Sequence, residues 1–147
     1  MEETIMKKAS KILLIVGGAL GIFLALLFLI IGIGFLAFTT PEAKELIIQG
    51  LNNGTVRSDL PGTPEQQALV IQSMFLGFGI GFIVATPFYV VSSIFSFVAM
   101  GKESANLFIV TMVFGILAGN TPAFLGGLFG LIYQKSATQP QPLDLEA

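Results

Sequence analysis

The sequence contains no cysteine, no histidine and no tryptophan. Without thiols and imidazoles the chain lacks the ligands of most zinc and iron–sulfur sites, and it also lacks a thiol nucleophile and a histidine general base. A disulfide-stabilised fold is excluded as well. Carboxylate pairs such as Glu42 and Glu45 lie in segments expected to be exposed and mobile. Nothing there would hold the two carboxylates at the separation that acid–base catalysis requires. We therefore predict a chain that is not an enzyme and that binds no metal or cofactor.

Charged residues are also scarce. Only 11% of the 147 residues are charged, and 54% are hydrophobic, whereas soluble domains carry about 25% charged residues. Seven basic residues are too few for a nucleic-acid partner, and the apolar content excludes a disordered chain. This balance is typical of a protein whose solvent is lipid, so we predict the bilayer as its main partner.

Three stretches contain no acidic or basic residue: 12–41, 66–101 and 104–134. Each is long enough to cross a bilayer, because about 20 apolar residues in a helix span the roughly 30 Å of hydrocarbon. Inside lipid each segment must pair its own backbone donors and acceptors, which favours helices. The stretches therefore predict an all-α, polytopic integral membrane helical bundle.

The first predicted span covers residues 12–38. Lys7, Lys8 and Lys11 precede it, as basic residues precede a secretory signal. The apolar region of a signal is only about 7–15 residues long, however, and ends at small residues. We therefore expect a retained span, with residues 1–11 as a cytoplasmic N-terminus.

The second predicted span, residues 68–100, is too long for a straight crossing. A continuous helix of this length would measure roughly 50 Å against about 30 Å of hydrocarbon. Pro87 in its middle cannot donate a backbone hydrogen bond. We predict one long helix kinked at Pro87, and two short helices meeting at Thr86 and Pro87 are the alternative.

The third stretch is interrupted by turn-forming residues around Asn120 and Pro122. It predicts either one broken helix or a hairpin of two short helices, with Thr121 as the cap of the second and Pro122 at its first position. The hairpin puts five lysines on one side, which agrees better with the positive-inside rule. We therefore favour four spans over three. The remaining segments are then helices at 106–118 and 122–133, a cytoplasmic turn at 101–105 and a flexible tail at 134–147.

The hydrophilic segment 39–67 is predicted to be extracytoplasmic. Thr40 and Pro41 are typical of a helix start, and Gly50 of a helix stop, so this loop should contain a short helix. Thr63 and Gln66 have the spacing of a capping box at the start of the second span.

Pairs of glycines recur at a spacing of four residues within the predicted spans. Small residues one turn apart let two helix backbones approach closely, which drives helix association in lipid. We predict helix-packing roles for the members of these pairs: Gly17, Gly21, Gly77, Gly81, Gly115, Gly119, Gly126 and Gly130. Phe75, Phe78 and Phe82 form a stripe at helical spacing that should face lipid or a neighbouring helix.

In the order of these features the chain resembles a family of small uncharacterised multi-pass membrane proteins of Gram-positive bacteria. That family is catalogued only as a domain of unknown function. The resemblance is carried by a glycine-bearing helix after Lys7 and Lys8, the loop 39–67, and the segments 105–110, 114–120 and 126–132. It implies four helices in the bacterial cell membrane. It supplies no residue of known function.

The expected function is therefore non-enzymatic helix packing, either with further copies of the chain as a homo-oligomer or with other membrane proteins. The predicted spans contain no acidic or basic side chain, which argues against ion-coupled transport. Two further functions stay open: a holin-like pore, and a carrier or transporter subunit for a neutral solute.

Overall fold

A computed structural model describes residues 2–138, and the part of the predicted tail at 139–147 lies outside the described residues. All regular secondary structure in the described range is helical, which confirms the all-α class. The helices are α1 (Glu2–Ala37), α2 (Pro41–Asn52), α3 (Pro64–Gly101), α4 (Ala105–Leu117) and α5 (Thr121–Thr138).

Helix α1 begins well before the uncharged stretch. The segment 2–11 contains no glycine or proline, so the polar N-terminal residues join the same helix. After Ala37 the chain turns, with the backbone N–H of Thr39 donating to the carbonyl oxygen of Leu36 at 3.0 Å. The Thr39 hydroxyl donates to the same oxygen at 2.7 Å, which satisfies one of the last carbonyl groups of the helix.

Helix α2 begins as predicted but ends later. The Thr40 hydroxyl caps it by accepting from the N–H of Ala43 at 3.3 Å. The helix continues two residues past Gly50 to Asn52. Gly50 has a packing role instead, because an added Cβ would lie 2.6 Å from the Val56 side chain.

Helix α3 is one continuous helix that contains Pro87, so the alternative of two short helices is not found. The predicted capping box is confirmed. The N–H of Thr63 donates to Oε1 of Gln66 at 3.1 Å, and the N–H of Gln66 donates to the Thr63 hydroxyl at 3.4 Å. One residue before Pro87, the Thr86 hydroxyl donates to the carbonyl oxygen of Phe82 at 3.0 Å.

Helices α4 and α5 are separate elements joined by the short turn 118–120, as in the hairpin interpretation. Helix α5 extends to Thr138. Residues 134–138, which we predicted to belong to a flexible tail, are therefore helical.

The chain divides into two compact units. The first unit consists of the described residues within Met1–Ala25 and Pro87–Ala147. Its apolar core contains Leu14, Ala99 and Phe108, which are at most 3% exposed.

The second unit, Leu26–Thr86, is built around phenylalanine rings. Phe35 stacks on Phe75 and Phe82, with ring centroids 5.6 and 5.8 Å apart. Phe78, the third member of the predicted stripe, also lies beside Phe35, with ring centroids 5.9 Å apart, although it is 59% exposed.

Candidate helix-packing site

Two glycines bring α1 and α5 into backbone contact in the first unit. A Cβ added at Gly17 would lie 2.6 Å from the backbone nitrogen of Ala123, and one at Gly126 would lie 2.9 Å from that of Leu14. The Ser10 hydroxyl donates to the carbonyl oxygen of Gly126 at 2.7 Å. The order of these contacts shows that α1 and α5 run antiparallel. A side chain at either glycine would separate the helices.

Asn120 connects this contact to the turn between α4 and α5. Its side-chain nitrogen donates to the carbonyl oxygen of Gly17 at 2.8 Å, and its side-chain oxygen accepts from the N–H of Ala123 at 3.3 Å. The side chain is completely buried. Asn120 is thus the cap of α5, which corrects our assignment of that role to Thr121. Because the helix begins at Thr121, Pro122 is its second residue and not its first.

Gly119 and Gly115 have different roles although the sequence pairs them. Gly119 has a φ of +62° and nothing within 4 Å of an added Cβ. Its N–H donates to Ile116 and that of Asn120 donates to Gly115, which is the Schellman arrangement that ends a helix. Gly119 is therefore a turn residue, and no close contact within the described chain accompanies the packing role predicted for it. At Gly115 an added Cβ would lie 2.7 Å from the backbone nitrogen of Phe124.

Gly21 and Gly130 also occupy crowded positions in the first unit. A Cβ at Gly21 would overlap the hydroxyl of Ser93, and one at Gly130 would overlap the ring of Phe108. Gly21 thus lies against α3 and Gly130 against α4. Both positions are consistent with the packing role predicted from the spacing.

Gly77 and Gly81 make no close contact, since nothing lies within 4 Å of a Cβ added at either residue. The close approach in the second unit occurs instead between Gly32 and Gly79. An added Cβ at Gly32 would lie 3.0 Å from the carbonyl oxygen of Gly79, and one at Gly79 would lie 3.1 Å from that of Gly32. Sequence reasoning missed this pair because a spacing rule within one helix does not reveal pairs across two helices.

Buried hydroxyl groups line the interior of the first unit. Ser93 and Ser96 each donate to the carbonyl oxygen four residues earlier at 2.8 Å. Thr111 of α4 donates within its own helix at 2.7 Å and also to the Phe95 carbonyl of α3 at 3.2 Å. The buried Ser92 hydroxyl has no hydrogen-bond partner among the described residues. None of these hydroxyls has an adjacent base, so the cluster is suited to packing and not to proton transfer.

A charged cluster lies at one end of the first unit. The ammonium groups of Lys7 and Lys11 lie 3.0 and 3.2 Å from the Glu103 carboxylate. The Lys7 ammonium also donates to the Tyr133 hydroxyl at 3.3 Å, and the Gln134 side chain donates to the Glu103 carbonyl oxygen at 3.1 Å. The hydrogen bond from Lys7 lowers the pKa of Glu103, and the same bond raises the pKa of Lys7. Sequence reasoning missed this cluster. The spacing of Lys7 and Lys11, one helical turn apart, was the available signal.

The described side chains contain no group of three or more acidic residues placed to hold a metal ion. The chain matches no family model, and neither a curated protein nor a solved structure is significantly similar to it. Its function must therefore be argued from its own geometry.

Proposed function

We propose that this chain is a small, non-enzymatic integral membrane protein that acts by helix packing, with itself or with other membrane proteins. Two described helices are long and apolar enough to cross a bilayer: Thr4–Ala37, within α1, and Pro64–Gly101. They contain 34 and 38 residues, against the roughly 20 that a crossing requires.

The exposure of these two helices is the observation that carries the proposal. Only 28% of the most apolar window of the first helix, and 11% of that of the second, is buried inside the chain. The core helix of a soluble protein would be mostly buried. Large apolar side chains such as Ile30 and Phe23 are instead 69% and 60% exposed. Lipid removes the cost of that exposure, about 25 cal/mol for each Å² in contact with water.

A four-span topology follows if α4 and α5 also enter the membrane. Helix α4 is apolar but has only 13 residues, which reach about 20 Å. The hydrogen bonds around Gly119 and Asn120 pair the backbone groups of the turn internally, as a low-dielectric surrounding requires. The N-terminus is then cytoplasmic, because the lysine-rich end of a membrane protein faces the cytoplasm. The bacterial cell membrane is the proposed location.

The holin-like pore and the carrier or transporter subunit remain predictions from the sequence. The hydroxyls of Ser93, Ser96 and Thr111 donate to helix carbonyl oxygens, and no observation specifically favours a pore or a carrier. Membership of the Gram-positive family also remains a prediction.

Single cysteines can test the topology because the chain has none of its own. We would introduce Asn53→Cys, Lys102→Cys and Ser136→Cys separately and label intact cells with a membrane-impermeant maleimide. The four-span topology predicts labelling at position 53 only. Labelling at 136 as well as 53 would support three spans, and release of the chain by alkaline carbonate would contradict membrane integration. The unsubstituted chain is the background control.

A further inference from the structure

Among the described side chains, the charged end of the first unit has more lysines than carboxylates. Four lysines form what we call the lysine surface: Lys7, Lys8, Lys11 and Lys102. Among the described side chains of this unit, the only acidic one is Glu103. Taken together, these four lysines and Glu103 carry a charge of +3.

Described residues account for only three contacts of the ammonium groups on this surface. An ammonium group has three donors, of which Lys7 directs two to Glu103 and Tyr133, and Lys11 directs one to Glu103. Lys8 and Lys102 are exposed, and no described carboxylate lies within 4.0 Å of either. The Glu103 carboxylate thus positions Lys7 and Lys11, whereas Lys8 and Lys102 have no carboxylate partner among the described side chains.

The apolar residues next to the lysines indicate where that anion lies. Ile12 and Ile15, which follow Lys11 on α1, are 61% and 47% exposed. If the chain is inserted as proposed above, on which this inference rests, these side chains contact acyl chains. The lysines then lie at the depth of the lipid headgroups. Tyr133, held by Lys7 in the same cluster, is a residue type enriched at that depth.

We propose that the lysine surface binds the phosphate group of an anionic phospholipid, with Ile12 and Ile15 against its acyl chains. Charge complementarity favours this ligand over a zwitterionic lipid, because a choline headgroup would bring its own ammonium to the site. A soluble phosphate compound has the same anionic group but no acyl chain to cover the exposed isoleucines. The lipid is therefore the ligand to which the geometry points.

The test uses the full chain purified in a neutral detergent. Native mass spectrometry would compare retention of phosphatidylglycerol with that of phosphatidylcholine, and thermal unfolding would be followed with each lipid. We expect preferential retention of phosphatidylglycerol and a rise in the unfolding temperature with that lipid only. Glycerol phosphate at the same concentration should produce no rise. If glycerol phosphate raised the unfolding temperature as much as phosphatidylglycerol does, the site would be assigned to a soluble anion and the proposal would be overturned.

The variant Lys8→Gln/Lys102→Gln removes the two lysine charges that have no described carboxylate partner and leaves the Lys7–Glu103 contact in place. We expect retention of phosphatidylglycerol to fall about fivefold for each lysine removed. The matched control, Lys44→Gln/Arg57→Gln, removes both basic residues of the second unit and should retain the lipid normally. Equal losses in the two variants, or equal retention of the two lipids by the native chain, would overturn the proposal. An inserted chain without lipid preference would refute this inference alone, whereas a chain that fails to insert would refute the proposed function.

Discussion

The side-chain nitrogen of Asn120 donates a hydrogen bond to the backbone carbonyl oxygen of Gly17, across 2.8 Å and 103 positions of sequence. That oxygen is accessible only because Gly17 has no side chain and α5 approaches α1 closely there. The same asparagine caps α5 through its side-chain oxygen. One buried amide therefore joins the close contact between α1 and α5 to the turn that precedes α5.

Replacement of Asn120 by alanine should destabilise the chain by about 1–3 kcal/mol, since a helix cap and an interhelical hydrogen bond are lost together. Thermal or denaturant unfolding in detergent would measure the loss. Asn52→Ala, at the exposed end of α2, is the control and should stay within about 0.5 kcal/mol of the native chain. Equal stability of the two variants would contradict the role of Asn120.

Gly17→Ala and Gly34→Ala make the same change on the same helix in different surroundings. The first places a Cβ 2.6 Å from the backbone of Ala123, whereas the second places it in open space. We expect a loss of about 1–3 kcal/mol for the first, because backbone cannot move aside cheaply. The second should be neutral or slightly stabilising, since alanine favours helix by up to about 1 kcal/mol over glycine. Unfolding in a single detergent would compare them, and a stable Gly17→Ala variant would count against the contact.

Gly79→Ala should destabilise the second unit, whereas Gly77→Ala/Gly81→Ala should not. A Cβ at position 79 would lie 2.8 Å from the Leu36 side chain and 3.1 Å from the carbonyl oxygen of Gly32. Positions 77 and 81 have no atom within 4 Å of an added Cβ. Unfolding measured at a chain concentration too low for association would separate the variants. A large loss in the double variant would show that this face is covered in the folded monomer.

The Glu103 cluster should make stability depend on pH at both extremes. The lowered pKa of Glu103 contributes stability above its ordinary value of 4.5, and this contribution is lost as the pH falls through the folded value. The raised pKa of Lys7 contributes below its ordinary value of 10.5, and that contribution is lost as the pH rises through the folded value.

Unfolding temperatures measured across this range would test the pH dependence, with Glu103→Gln as the variant. Its curve should be flatter than that of the native chain at both ends, because the substitution removes the partner of both lysines. The effect should be small, since the pair is partly exposed. Superimposable curves would show that the contact contributes nothing.

The local features of the fold could be predicted from the sequence because their causes lie within a few residues. Thr40 and Thr63 were identified as helix starts, and the capping hydrogen bonds join residues only three positions apart. The turn around Asn120 was identified by its composition for the same reason. The choice between Asn120 and Thr121 as the cap was wrong by one position, because both residue types favour that site.

Which glycines pack could not be predicted from their spacing. Gly17 and Gly77 both begin a pair four residues apart, yet only Gly17 contacts a neighbouring backbone. Gly32 and Gly79 contact each other without belonging to any of the predicted pairs. A glycine permits close approach, but only the position of the other helix decides whether the approach occurs.

The amino-acid pattern is enough to predict that the chain is helical, where most of its helices begin, and that its long apolar segments are suited to lipid. These properties depend on composition and on hydrogen bonds within one turn of helix. Only the tertiary structure showed that Lys7, Glu103 and Tyr133 share one cluster, with Lys7 and Tyr133 126 positions apart in sequence. Contacts at such separations depend on how whole helices pack, and that packing is the sum of many weak interactions that no local pattern records.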